Sequence, residues 1–167
     1  MGWLSQEVYG LDAAGHGVLL TAGALGAVMG GMMGPRIAAR LGGKLTIQFA
    51  LCIMAVPFAM LALTQSPFVA GLALALMWFG GMTWNVVTVS LRQRVIPTQL
   101  LGRVNAIYRF FGWGSIPLGA IAAGLLVSLA EPSLGRQAAL QLPFWVGVGM
   151  VVALLCWAVM KLDMSEA

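Results

Sequence analysis

Charge is the scarcest property of this chain. Asp, Glu, Lys and Arg together make up 8% of the 167 residues, whereas hydrophobic residues make up 60%. A typical soluble domain is about 25% charged and about 45–50% apolar. So few charges cannot cover the surface of a soluble globule. The composition therefore excludes that class and predicts that the chain lies in lipid.

Residue patterns for catalysis and metal binding are also lacking. The sequence has no glycine-rich phosphate loop with Lys and Ser or Thr, no HExxH motif and no paired carboxylates. The single histidine, His16, is distant in sequence from Ser115, and Ser115 is not in a nucleophile elbow. Cys52 and Cys156 lie in apolar runs and are interpreted as packing residues. We predict no enzyme activity, no cofactor and no metal; an intramembrane enzyme is the alternative.

Nucleic acid is not an expected partner, although the net charge is +4. The basic residues stand in short clusters between apolar runs, and no basic surface interleaved with aromatic residues is visible. Clusters of this kind set the orientation of membrane helices. The lipid bilayer is therefore the predicted partner of the chain.

Long apolar runs are what the sequence does contain. They predict spans over residues 15–37, 45–63, 67–91, 104–130 and 138–160. Helices of about 19–27 residues are about 29–40 Å long, enough to cross a hydrocarbon core of about 30 Å. The predicted fold class is an all-α integral membrane protein with five transmembrane helices. Its helical domain covers residues 15–161, and residues 162–167 form a short tail.

The basic residues between the spans predict the orientation of the chain. The first and third connectors each carry three of them: Arg36, Arg40 and Lys44, then Arg92, Arg94 and Arg103. The second connector, residues 64–66, carries none. The positive-inside rule then places the first and third connectors and the C-terminus in the cytoplasm, and the N-terminus outside.

We expect this chain to be preceded by further helices in a longer protein. Residues 1–6 lack the basic start and short apolar core of a signal peptide. An odd number of spans with an outside N-terminus is then unusual. We interpret residues 1–14 as an external segment left over from a preceding helix, and we expect the chain to be a fragment or one half of a larger protein.

Small residues recur every four positions along the first span, at Ala22, Gly26, Gly30 and Gly34. Such a stripe lets a second helix approach closely in a membrane. It predicts a helix interface, and chance recurrence in a chain with 22 glycines is the alternative.

A few polar residues lie within the spans, where ionisable groups are costly and are default candidates for function. Arg109 lies about 9 Å inward from Arg103, and Asn85 lies about 10 Å inward from Arg92. We predict a substrate cavity from five residues: Trp84, Asn85, Thr88, Tyr108 and Arg109, with Thr83 nearby. For Arg109, an arginine reaching back to the membrane surface is the alternative. No Asp or Glu lies within a span, so no proton relay is predicted inside the membrane.

Two stretches resemble the major facilitator superfamily, and in particular the bacterial exporters of siderophores and drugs. They are residues 90–97 (SLRQRVIP) leading into 101–106 (LGRVNA), and residues 114–120 (GSIPLGA). The resemblance covers nearly the whole chain, as helices eight to twelve of a twelve-helix fold, which is part of one six-helix half. Residues 34–44 also resemble the superfamily's basic inter-helix motif, except that Ala39 replaces the expected acidic residue.

The resemblance implies alternating access, with a small-molecule substrate held between two halves. It implies a cytoplasmic gate built from basic residues: Arg36, Arg40, Lys44, Arg92, Arg94 and Arg103. Charges that only set topology are the alternative. The predicted function is secondary export of amphipathic molecules across the cell membrane, together with a missing N-terminal half. A non-transporting remnant, or a small assembly or regulatory subunit, is the alternative function.

The orientation can be tested by labelling. Single cysteines introduced at Arg40 and Arg94, in a variant without Cys52 and Cys156, are expected to react with an impermeant maleimide only after the cell membrane is opened, because both connectors are predicted to face the cytoplasm. A cysteine at Gln65 should react in intact cells. Labelling of positions 40 and 94 from opposite sides would contradict the scheme.

Overall fold

The computed structural model describes residues 11–161, which form four helices. They are α1 (Ala13–Leu63), α2 (Pro67–Val95), α3 (Thr98–Leu134) and α4 (Arg136–Lys161). All four are long and apolar enough to cross a membrane. The turns between them are short: residues 64–66, 96–97 and Gly135.

The helix count differs from the five predicted spans because the first two are joined within α1. The backbone of α1 leaves the helical region at one residue, Gly42, with φ 75° and ψ 169°. Glycine reaches this left-handed region at low cost. The predicted connector is therefore wrong in length: around Gly42 the chain remains helical, and Arg36, Arg40 and Lys44 lie on helical turns.

The break at Gly42 reverses the direction of the chain. Gly30 lies against the carbonyl of Phe79, while the carbonyl of Ala50 lies against the neighbouring residue Gly80. In a straight helix Gly30 and Ala50 would be about 30 Å apart. Residues 13–41 and 43–63 therefore form two antiparallel arms, and both pack against α2. Thr46 stabilises the start of the second arm, because its hydroxyl donates a 2.7 Å hydrogen bond to the Gly42 carbonyl.

The first arm meets α2 through the predicted stripe of small residues. A β-carbon on Gly26 would overlap the backbone carbonyl of Ala75, and one on Gly30 would lie 2.5 Å from the carbonyl oxygen of Phe79. Both glycines are buried. Because the glycine and its partner each advance by four residues, the two helices run parallel and in register, with their backbones in direct contact.

Apolar side chains fill the two ends of this bundle. One cluster joins both arms to the start of α2 and contains Leu19, Leu61, Ala70, Ala73 and Leu74. The other joins the second arm to the end of α2 and to α4, and contains Ile47, Leu51, Val87, Val151 and Ala158. Gly147 of α4 lies beneath the ring of Phe58, where a β-carbon would be 2.6 Å from a ring carbon.

Helix α3 contributes no buried residue to the bundle. It rests mainly on α4 and meets α2 at few points. Its glycines 112, 114, 119 and 124 have open space where a β-carbon would be. Helix α3 continues from Thr98 to Leu134 with Pro117 inside it. The hydroxyl of Ser115 donates to the carbonyl of Gly112 in this stretch, at 3.0 Å.

The contact of Gly26 with the Ala75 carbonyl predicts a stability difference between two glycines of the same arm. Gly26→Ala should lower the free energy of unfolding by about 1–3 kcal/mol, because the added methyl group forces two backbones apart. Gly17→Ala is the matched control, since nothing lies within 4 Å of a β-carbon there. The measurement is thermal unfolding in detergent. Equal melting temperatures for the two variants would contradict the packing.

Candidate functional site

The polar residues of α2 are divided between two of its faces. Asn85, Thr88 and Arg92 are three and four residues apart, so they share one face of the helix. Asn85 is exposed and Thr88 and Arg92 are half-buried. The Thr88 hydroxyl donates to the backbone carbonyls of Trp84, at 3.0 Å, and Asn85, at 3.3 Å. That use of its only proton leaves the Thr88 oxygen as an acceptor.

Thr83 and Trp84 take part in helix packing. Thr83 is fully buried, and its α-carbon lies beside Gly34 on the first arm. Its hydroxyl oxygen has no hydrogen-bond partner among residues 11–161. Trp84 is half-buried and packs against the cluster of Ile47, Leu51 and Val87. Only the face with Asn85, Thr88 and Arg92 is left for a ligand.

Arg92 lies against the aromatic ring of Tyr108. The central carbon of its guanidinium group is 3.9 Å from the ring centroid, well within the range of a cation–π interaction. Its Nε atom is buried and has no hydrogen-bond partner within the described part of the chain. This contact ties α3 to α2 at a position where the two helices otherwise touch little.

Arg109, the neighbour of Tyr108, points elsewhere. Its guanidinium carbon is 6.0 Å from the ring centroid of Trp113, one turn along the same helix, and both side chains are exposed. Consecutive helix residues are about 100° apart around the axis. The structure therefore does not bring Asn85 and Arg109 together in one cavity. Tyr108 faces α2, and the arginine that contacts it is Arg92.

The other basic residues of the predicted gate lie at the surface of the chain. Arg36, Arg40, Arg94 and Arg103 are exposed, and Lys44 is half-buried. Arg36 donates to the carbonyl of Met32, one turn back, at 3.0 Å. Arg92 is thus the member of the set whose surroundings differ. The signal in the sequence was its spacing of seven residues from Asn85, which puts both on one helix face.

The described acidic side chains are at the opposite end of the helices and have partners. Asp12 accepts a 2.8 Å hydrogen bond from the backbone N–H of Gly15 and caps α1. Glu131 forms a 2.8 Å ion pair with Arg136. This pair borders an open cleft of about 470 Å³ lined by Gln65, Leu134, Gly135, Arg136, Gln137, Ala138 and Gln141. No group of three His, Cys, Asp or Glu side chains within residues 11–161 could hold a metal ion.

Sequence reasoning also missed a contact between distant helices. The side-chain amide of Gln48 donates to the backbone carbonyl of Ala158 at 3.4 Å, across 110 residues of sequence. A hydrogen bond of this kind supports helix association in lipid by about 1 kcal/mol or less. Nothing in the local sequence pattern of Gln48 identifies its partner.

The Arg92–Tyr108 contact predicts a specific change in the dynamics of α3. Tyr108→Leu should raise amide hydrogen exchange in residues 98–110 by roughly fivefold, because a cation–π contact of about 1 kcal/mol is lost. Tyr108→Phe is the control, since it keeps the ring. Exchange measured by mass spectrometry in lipid nanodiscs tests this. The same exchange rate in the Leu and Phe variants would show that the contact does not hold α3.

Comparison with known proteins now identifies the family. The model of a major facilitator family described as transmembrane secretion effector matches residues 3–167. No curated protein and no solved structure matches the chain. The match covers nearly every residue and agrees with the four apolar helices; it points to a transporter and away from an enzyme. The chain therefore belongs to the transmembrane secretion effector family, of the major facilitator type, and is a multi-pass membrane protein.

Proposed function

We propose that the chain is the C-terminal part of a secondary transporter that exports small amphipathic molecules, of drug or siderophore type, by alternating access. The observation that carries this proposal is the family match over residues 3–167. The proposed location is the cell membrane, with the N-terminus outside and the C-terminus in the cytoplasm.

The packing of α3 supports the need for a second half. A 37-residue helix without a buried residue has most of its sides free to meet lipid or another helix. In alternating-access transporters the substrate lies between two repeats that rock against each other. A helix that is only lightly attached to its own bundle suits the wall between the halves. We propose that this wall carries Asn85, Thr88 and Tyr108, and that Arg36, Arg40, Lys44, Arg94 and Arg103 act at the cytoplasmic gate.

A second candidate function is a non-transporting subunit or remnant. One observation favours it: within residues 11–161 the carboxylates are Asp12 and Glu131, and each already has a partner near a helix end. Proton-coupled transport uses carboxylates within the membrane. A transporter built with this chain takes such a group from its other half, whereas a subunit needs none.

An efflux assay separates the two functions. Cells that express this chain together with helices one to seven of a full-length family member, as its N-terminal half, are expected to accumulate less of a fluorescent amphipathic dye than cells with either half alone. The physical reason is that the cavity closes only between two halves. A matched control replaces this chain with its Gly26→Leu variant, which should not pack.

The outcome depends on assembly as well as transport, so co-purification of the halves is measured in parallel. Halves that co-purify but leave dye accumulation unchanged, over a panel of cationic, neutral and anionic dyes, would contradict export and favour the subunit.

A further inference from the structure

Among the described basic side chains of the predicted connectors, Arg92 is the one with a buried N–H donor that has no hydrogen-bond acceptor. A guanidinium group has five N–H donors and cannot lose its proton in a protein. The buried Nε of Arg92 has no acceptor among residues 11–161. Leaving such a donor unpaired is costly, more so for a charged group than for a neutral one. Nε itself is closed to solvent, so the N–H donors that a binding partner can reach are those of the two Nη groups of the same guanidinium.

The described chain offers no carboxylate that could serve as this partner. Glu131 is 23 residues beyond Tyr108 on the same continuous helix, about 35 Å along its axis, and is paired with Arg136. Asp12 caps α1 at the end of the bundle that contains the turn at residues 64–66. Among residues 11–161, the positive charge of Arg92 is thus left without an anion nearby.

The ring of Tyr108 prepares the guanidinium group for planar recognition. With its central carbon 3.9 Å from the ring centroid, the group has one face covered. Arginine recognises a carboxylate through two parallel N–H donors in its plane, which is a geometry that lysine cannot supply. Holding the group on an aromatic ring reduces the freedom it would lose on binding.

The surroundings fit the rest of an amphipathic acid. Asn85, on the same face of α2, has an exposed side-chain amide that can donate further hydrogen bonds. Phe111 lies three residues beyond Tyr108 on α3, so on the same side, and is 68% exposed. The face of α2 with Arg92 and Asn85 and the side of α3 with Tyr108 and Phe111 therefore offer a cation, an amide and an aromatic surface along about 10 Å of helix.

We infer that Arg92, held by Tyr108, binds the acidic group of an organic anion with an apolar or aromatic body, so that anions of this kind are the substrate class. This inference rests on the proposed function for its role in transport. It moves Arg92 from the cytoplasmic gate to the substrate site, with Asn85 about 10 Å along the same face of α2 and Phe111 on the side of α3 that carries Tyr108.

Binding of two matched probes tests the site. The full chain in phosphatidylcholine nanodiscs is titrated with 2-naphthoate or with 2-naphthamide, which has the same shape without the charge, and empty nanodiscs are subtracted. Wild type should bind naphthoate about tenfold or more tightly than naphthamide, because a paired guanidinium donates charge-assisted hydrogen bonds. Equal affinity for the two probes, or binding of neither, would overturn the inference.

Variants show whether Arg92 is responsible. Arg92→Gln should remove the preference for naphthoate, whereas Lys161→Gln, which changes the charge by the same amount at an exposed position on α4, should retain it. An equal loss in both variants would mean that general positive charge attracts the anion, and would overturn the inference.

Arg92→Lys keeps the charge and guards against loss of the fold. It should bind naphthoate with an intermediate affinity. Size-exclusion profiles establish that each variant is folded. If Arg92→Gln does not fold, Arg92→Lys at full wild-type affinity would overturn the planar recognition argued above.

Transport distinguishes this inference from the proposed function. In the two-half assay, export of naphthoate lost in Arg92→Gln and kept in Lys161→Gln supports both. Export of neutral and cationic dyes with no preference for anions keeps the transporter and overturns the anion site. Selective naphthoate binding by a chain that exports nothing with its other half keeps the anion site and overturns the transporter.

Discussion

The approach of two glycines to two carbonyls is the contact on which the rest of the bundle depends. Between helices in lipid there is little hydrophobic driving force, so association relies on close packing and polar contacts. Gly26 and Gly30 bring the first arm of α1 against the backbone of α2, and that registration places the second arm on the other side of α2. The faces of α2 that remain are then fixed, including the one with Asn85, Thr88 and Arg92.

The dependence on a few close contacts also explains why the helices differ in how many residues they bury. Both arms of α1 and helix α2 bury small residues and threonines, whereas α3 buries nothing and rests mainly on α4. A helix with so little packing depends on the few side chains that reach it. Arg92 therefore has two roles that are physically linked, since the guanidinium group that contacts Tyr108 positions α3 and also has a buried Nε without an acceptor among residues 11–161.

The sequence predicted what depends on local pattern and missed what depends on how helices are placed. Apolar runs and basic clusters marked the membrane class, and the family match supports the resemblance read from residues 90–106. The four-residue period of Gly26, Gly30 and Gly34 indicated a close interface but could not name α2 as its partner. The ends of the helices were harder to predict from the sequence. A connector with three basic residues resembles a loop, but the chain turns at Gly42 alone.

The candidate site shows the same division. Arg109 stood out because it is an ionisable residue well inside a predicted span, but depth along a helix says nothing about direction around it. Residues 108 and 109 point about 100° apart around the axis of α3, and the side chain that faces α2 is that of Tyr108. Arg92 was assigned to the gate from its place in a basic cluster, although its neighbour in space comes from the next helix.

The reversal at a single residue also bears on how this protein is made. The two arms of α1 are joined by Gly42 without a flexible loop. The first arm therefore cannot remain inserted in the bilayer for long while the second arm stays in water. Basic residues near the ends of membrane helices resist translocation, and Arg40 and Lys44 lie on either side of the turn. Residues 13–63 are therefore suited to enter the membrane as one helical hairpin during synthesis, delivered to the insertion machinery as a unit.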